Sequence, residues 1–371
     1  MKIAMIGQKG IPISSGGIER HVEEIGKRLV KHGHDVTVYN RKGCASFQGD
    51  NYEGINIRTT FTVRVKGFEA AIYSFIASID ALFRGYDIIH YHALGPAAAC
   101  MVPRILGKKV VVTVHGLDWQ RKKWGRIAKA YLKFGEKVAA CFSNEIISVS
   151  EKLKDYFASK YKRNSTFIPN GVLPPIIREA NLISKYGLSK NSYILFLARL
   201  VPEKGCQYLL EAYSKIDTDV KLVLAGDGSY SDAYCRELYE YTGDNIIFTG
   251  EVKGELLEEL YSNALCYVLP SEIEGMPISL LEAMSYGICS VVSDIEENLQ
   301  VVYKDGEAYG YTFKSQDSES LKERLIYMLS NREEILMLGR KAQEYVLKSF
   351  NWDRVTGSLE DIYRSLVSNK Y

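Results

Sequence analysis

Pro270-Ser-Glu-Ile-Glu-Gly-Met-Pro-Ile-Ser-Leu-Leu-Glu-Ala-Met284 follows the apolar run Cys266–Leu269 and leads into a stretch with helical periodicity. An apolar strand, a turn with glycine and proline, and then a helix make one step of a parallel sheet covered on both faces. The backbone around Gly275, Met276, Pro277, Ile278 and Ser279 opens that helix, where free N–H groups and the helix dipole attract phosphate. Two carboxylates flank this opening with seven residues between them, Glu274 in the glycine turn and Glu282 one turn into the helix. They suit a ligand with hydroxyls on both sides of a phosphate group, each carboxylate accepting hydrogen bonds from a diol. Taken alone, the pair reads as a capping acid and a solvated helix face. Set between strand, glycine turn and helix, it reads as a ligand site.

Outward from this segment the same step repeats. Apolar runs at Tyr193–Leu197, Val220–Ala225, Ile246–Thr249, Cys266–Leu269 and Ser290–Ser293 alternate with helical stretches from Cys206, Ser231, Gly254 and Ile278. An earlier series has runs at Lys2–Ile6, Asp35–Tyr39, Asp87–Tyr91 and Lys109–Val114, with helices near Gly17–His32 and Phe68–Phe83. Between the two series, Ile168-Pro-Asn-Gly-Val-Leu-Pro-Pro175 concentrates turn formers. The expectation is an α/β chain of two Rossmann-like, doubly wound parallel-sheet domains with a ligand cleft between them. Residues 1–172 form the first domain and 173–352 the second, with 353–371 a C-terminal helix packing back on the first. A length of 371 residues exceeds what one core usually serves.

Composition is that of a soluble globular protein, 46% hydrophobic and 25% charged. Seven scattered cysteines at no metal-ligand or redox spacing read as reduced core residues of a cytoplasmic protein. MKIAMIGQKG is too short an apolar run for a secretory signal, and no stretch has the length of a transmembrane span. The net charge of +2 hides a division: residues 1–175 hold 27 Lys and Arg against 14 Asp and Glu, a net +13, and residues 176–371 a net −11. A basic half faces acidic partners. Within it Trp119–Val138 carries seven Lys and Arg against one acid, with Trp119, Trp124, Tyr131 and Phe134 interleaved. Such a helix can lie on an anionic membrane surface, or it can be an ordinary helix with aromatics inward and lysines in water. No nucleic-acid recognition motif accompanies the charge.

Four companions support the ligand site. Ala198-Arg-Leu-Val-Pro-Glu-Lys-Gly205 follows the first strand of the second series, and a departing diphosphate calls for cations: Arg199 offers a planar fork, Lys204 a point charge. Gly16 and Gly17 precede a helix and let the backbone approach a phosphate closely, although a plain strand-to-helix turn would use them too. His115 ends the run before Gly-Leu-Asp118-Trp, and a strand-end histidine is either a polar group beside the reacting carbon or a structural residue. Asp118 either holds an acceptor hydroxyl or caps the next helix. Gly226 and Gly250 lie at strand ends of the second series.

Two patterns resemble metal sites but read as a solvated turn and as a structural or acceptor-side histidine pair. Asp217-Thr-Asp219 lies at the amino edge of its strand, away from the ligand side, and His90-Tyr-His92 offers two imidazoles on one strand face with no third ligand in view. Gly7-Gln-Lys-Gly10 lacks the spacing of a dinucleotide-binding turn.

Residues 274–287, EGMPISLLEAMSYG, closely resemble the E-x7-E motif of the retaining GT-B glycosyltransferases of family 4, also called group 1. The likeness extends from the Ser15-Gly-Gly-Ile-Glu19 turn to Phe350-Asn-Trp-Asp-Arg354. It implies that Glu274 contacts hydroxyls of the transferred sugar and Glu282 the ribose diol, while Arg199 and Lys204 bind the diphosphate. It also implies that Gly16 and Gly17 meet that diphosphate, that backbone near Gly226 and Gly250 holds the base, and that His115 stands beside the sugar. HGLDWQRKKWG, from His115, resembles a narrower bacterial subgroup that builds surface polysaccharides and includes rhamnosyltransferases. The expected activity is retaining hexosyl transfer from a nucleoside diphosphate sugar to a saccharide or lipid-linked acceptor, with no metal or other cofactor, at the inner face of a membrane. A nucleotide-sugar epimerase or hydrolase, or a non-catalytic binding protein, would share the fold. Turnover without acceptor marks the former; binding without transfer marks the latter.

Overall fold

Apolar runs of four to seven residues, each too short for a stable helix, pair into two parallel sheets in a computed structural model that describes residues 1–13, 16–44, 47–62, 69–228 and 232–368. Ser15, Phe68, Ser231 and the last three residues of the expected C-terminal helix lie outside the described residues. The chain divides into two units, Met1–Gly171 with Trp352–Tyr371, and Val172–Asn351.

In the second unit the sheet runs Ile246–Gly250, Lys221–Ala225, Tyr193–Leu197, Cys266–Leu269, Cys289–Ser293, Tyr311–Phe313, all parallel. Numbered along the chain this order is 3-2-1-4-5-6, so it reverses between Tyr193–Leu197 and Cys266–Leu269. At such a reversal the loops leaving neighbouring strands diverge to opposite faces and open a crevice at the carboxyl ends. The core beneath is apolar, with Ile194, Phe196, Leu209, Leu222, Val268 and Val291 buried.

The first unit repeats the plan. Its sheet runs Asn51–Tyr52, Ile55–Thr60, Asp35–Arg41, Lys2–Ile6, Ile88–His92, Lys109–Val114, Glu145–Ser148, Thr166–Phe167, parallel except for the Asn51–Tyr52 hairpin arm. Here the order reverses between Lys2–Ile6 and Ile88–His92. The strands Glu145–Ser148, Thr166–Phe167 and Tyr311–Phe313 and the hairpin extend the sheets beyond the sequence expectation. All lie at or near a sheet edge, and those of two or three residues are too short to carry a periodicity of their own. The C-terminal helix Trp352–Ser368 adds Trp352, Val355, Leu359 and Tyr363 to the first unit's core beside Ile3, Val22 and Ile25.

The basic segment departs from a single helix over Trp119–Val138. Asp118–Gln120 form a short 3-10 turn, and the helix spans Arg126–Phe142, starting after Gly125. No helix among the described residues is long and apolar enough to cross a membrane. All seven cysteines are free thiols, five of them buried and Cys141 exposed.

Candidate functional site

The residues expected to hold the diphosphate and the sugar lie at the second unit's strand-order reversal. After Tyr193–Leu197 the chain makes a 3-10 turn, Pro202–Lys204, that closes on Gly205 at φ 70°. A Cβ on Gly205 would lie 1.9 Å from the Pro270 carbonyl oxygen, so only glycine lets this turn reach the loop after Cys266–Leu269. The Glu272 N–H then donates to the Glu203 carbonyl at 2.9 Å. The contact brings residues 70 positions apart together: the Lys204 ammonium pairs with Glu274 Oε1 at 2.5 Å, with both side chains mostly buried. Glu274 therefore does not cap the helix. The helix Ile278–Ser285 starts after Pro277 with no side-chain cap, which leaves first-turn N–H groups open to an anion.

Glu282 is not on a solvated face. It is half-buried and accepts from the Tyr261 hydroxyl at 3.2 Å, and burial pushes that phenol's pKa well above its usual value. Tyr267 donates to Ser279 Oγ at 2.9 Å, fixing the first turn of the helix. Met276 is buried and Gly275 half-buried. Arg199 is exposed and has no ion pair among the described residues. Gly226 and Gly250 end adjacent strands, with the Gly226 N–H donating to the Gly250 carbonyl at 2.9 Å. A Cβ at Gly226 would come within 1.9 Å of the Ala198 carbonyl oxygen. Asp217 and Asp219 are exposed ahead of Lys221–Ala225, at the amino edge.

In the first unit Gly17 begins the helix Gly17–Lys31 and Gly16, at φ 110°, precedes it without a side-chain cap. His115 follows Lys109–Val114 and is half-buried, its Nε2 3.3 Å from His92 Nδ1. His21, from the first helix, reaches the same place and bonds Asn170 Oδ1 through Nδ1 at 2.9 Å. His90 is spoken for at both nitrogens, by Tyr363 Oη at 2.6 Å and Thr113 Oγ1 at 2.7 Å. Burial holds the His21 pKa down at about 4 against the raising effect of Asn170, and holds His90, His92 and His115 well below the usual value. His21 and His115 thus join His92 where His90-Tyr-His92 had no third group: three imidazoles from a helix and two strand ends. The only sequence signal was position, since the last residue of a strand and the first turns of the next helix both face the carboxyl edge.

Asp118 does not cap a helix by its side chain; its carboxylate lies 3.5 Å from Arg121 Nε. Trp119 turns inward, donating from Nε1 to the fully buried Glu136 at 2.6 Å. Glu136 also accepts from Tyr156, Lys160 and Tyr161. Burial pushes its pKa up, but these bonds outweigh it and bring the net value down. Tyr131 donates to the Gly95 carbonyl at 2.9 Å. Of the apolar side chains on this basic segment, Ile127 and Phe134 remain exposed.

Residues 15–174 match the family model described as Glycosyltransferase Family 4, and residues 179–345 match that of Glycosyl transferases group 1. An Escherichia coli UDP-Gal:alpha-D-GlcNAc-diphosphoundecaprenol alpha-1,3-galactosyltransferase is 28% identical, with 77% of each chain covered. Sucrose-phosphate synthase from Thermosynechococcus elongatus superposes with a TM-score of 0.86 at 22% identity over 99% of both chains. HepE of Anabaena, in complex with UDP and glucose, superposes with a TM-score of 0.82 at 17% identity, covering 98% of this chain and all of that one.

Proposed function

The chain belongs to the family 4 glycosyltransferases, glycosyl transferases group 1, with the GT-B fold, and from that premise we propose that it transfers a hexosyl unit with retention from a nucleoside diphosphate sugar to a hydroxyl acceptor. The observation that carries this reading is the Lys204–Glu274 pair beside the uncapped start of Ile278–Ser285. Without ligand the ammonium neutralises the carboxylate. A diphosphate on the open N–H groups competes for Lys204 and frees Glu274 to accept from sugar hydroxyls. Exposed Arg199 provides the second cation, and Glu282, steadied by Tyr261, takes the ribose diol. Backbone at the strand ends around Gly226 and Gly250 lies beside the base, and Gly16 and Gly17 let the backbone approach the diphosphate. His115, held neutral by burial, lines the reacting face.

In the transfer step the bond from C1 to the diphosphate oxygen breaks as the acceptor oxygen bonds C1 on the same face. The acceptor proton passes to the leaving phosphate oxygen, so the protein's task is to stabilise charge on the diphosphate. Arg199 and Lys204 do this without a divalent cation or other cofactor. The acceptor is a saccharide or lipid-linked intermediate of bacterial surface-polysaccharide synthesis, with Asp118 near its hydroxyl. This is supported by the E. coli relative's diphosphoundecaprenol acceptor and by the likeness of HGLDWQRKKWG to polysaccharide-building enzymes, rhamnosyltransferases among them. The +13 charge of residues 1–175 and the exposed Ile127 and Phe134 among lysines suit docking at the anionic inner face of a membrane.

The test is nucleoside diphosphate release from UDP-, GDP-, ADP-, CDP- and dTDP-sugars, with and without lipid-linked saccharide acceptors. Acceptor-dependent release that falls about 100-fold in Glu274→Ala, with nucleotide binding retained, is the expected result. Release at an undiminished rate without acceptor would instead mark a hydrolase. Binding with no release from any donor would mark a binding protein.

A further inference from the structure

Three imidazoles meet at the strand-order reversal of the first unit, contributed by the helix Gly17–Lys31 and the ends of two adjacent strands. We propose that His21, His92 and His115 form a binding site for one divalent transition-metal ion of the zinc class, with the fourth coordination position open. One nitrogen from each lies within 4.8 Å of the others. Nitrogens bound to zinc at 2.0–2.1 Å in tetrahedral geometry stand about 3.3 Å apart. The His92 Nδ1 to His115 Nε2 separation is 3.3 Å, so that edge is already set.

The remaining ring atoms are arranged for the same purpose. Asn170 Oδ1 can only accept, so its 2.9 Å bond puts the hydrogen of His21 on Nδ1 and leaves the Nε2 lone pair for a ligand. This is the outer partner that metal-bound histidines have, and it fixes both the tautomer and the ring plane. His92 is fully buried, its Nδ1 faces His115 Nε2, and its Nε2 has no hydrogen-bond partner among the described residues. His90, 4.1 Å from His92 between ring centroids, is excluded because Tyr363 and Thr113 occupy both its nitrogens. A donor set of imidazole alone suits zinc, cobalt, nickel or copper rather than magnesium or calcium, which take oxygen ligands. His21 and His92 are closed off from solvent, while half-buried His115 gives the ion its way in.

The experiment titrates the chelator-stripped full chain with cobalt(II), follows the visible bands of four-coordinate cobalt, and then displaces cobalt with zinc. One equivalent per chain is expected. His115→Gln, which keeps the polar shape of a half-buried side chain, and His21→Ala should each weaken binding about 100-fold or more. Asn170→Ala should weaken it about 10- to 100-fold. His32→Ala, at a histidine outside the cluster, should leave it unchanged, and the melting temperature of each variant checks that it folds. Absence of a stoichiometric cobalt complex, or binding unaltered in folded His21 and His115 variants, would overturn the proposal. Zinc should also inhibit transfer by occupying His115. That consequence rests on the role given to His115 above, whereas the cobalt titration contains no sugar substrate and succeeds or fails independently.

Discussion

Both units carry a parallel sheet whose strand order reverses, and they place opposite chemistry at that reversal. The second unit has a lysine, two carboxylates and a helix start open to an anion, brought together by two loops that leave adjacent strands. The first has neutral imidazoles gathered from a helix and two strands, backed by a helix from the far end of the chain. Trp352 packs edge-on against His21 at 5.6 Å, and Tyr363 bonds His90. One site is built from loops of its own unit's adjacent strands and the other is backed by the returning C-terminal segment, so the two should fail differently.

The largest effect expected is on the first unit. Trp352 is 1% exposed, and Trp352→Ala should cost about 3–5 kcal/mol through cavity formation, read by urea denaturation. Nucleoside diphosphate binding by the second unit should survive under native conditions. The converse variant is Arg199→Ala: the side chain is exposed, so stability should stay within about 0.5 kcal/mol. Acceptor-dependent diphosphate release should nonetheless fall about 10²- to 10³-fold. Gly205→Ala should injure the donor loops through structure. A Cβ at φ 70° against the Pro270 carbonyl should cost about 1–3 kcal/mol in melting and weaken nucleotide binding.

Acid should weaken the first unit through Glu360. Burial pushes the Glu360 pKa up, but bonds from Arg364, His34 and His32 outweigh it and bring it from 4.5 down to about 2. Between those values the unfolded chain binds the proton more readily, so stability rises with pH across that window. The contribution is complete above about 4.5 and disappears as pH falls through about 2. In Glu360→Gln the melting temperature of the first unit should lose that part of its acid dependence. The smallest effect belongs to Tyr261→Phe, which removes one hydrogen bond to Glu282 and should weaken donor binding by about 1 kcal/mol, roughly fivefold, in calorimetry.

Much of the fold around the proposed donor side was legible because it is built from contiguous segments. Lys2–Ile6, Lys109–Val114, Tyr193–Leu197 and Cys266–Leu269 have the bounds that their apolar runs indicate, since a strand buried on both faces must be apolar throughout. The loops that follow carry Arg199, Lys204, Glu274 and Glu282 in readable order. Edge strands such as Thr166–Phe167 were not legible, because two residues have no period. The break in the basic segment was missed because the pull of Glu136 on Trp119 is a tertiary contact between a turn and a helix.

Sequence alone determined the two-sheet architecture, the place of the loops at strand ends and the chemical character of the donor segment, because hydrophobic period and turn chemistry act over a few residues. Only tertiary structure decided that Lys204 would meet Glu274 across 70 positions, that Glu282 would lean on Tyr261, and that His92 would find its partners in His21 and His115 rather than in His90. Contacts between distant residues depend on which strands become neighbours. That order follows from packing helices on both faces of a twisted sheet, and no single segment contains it.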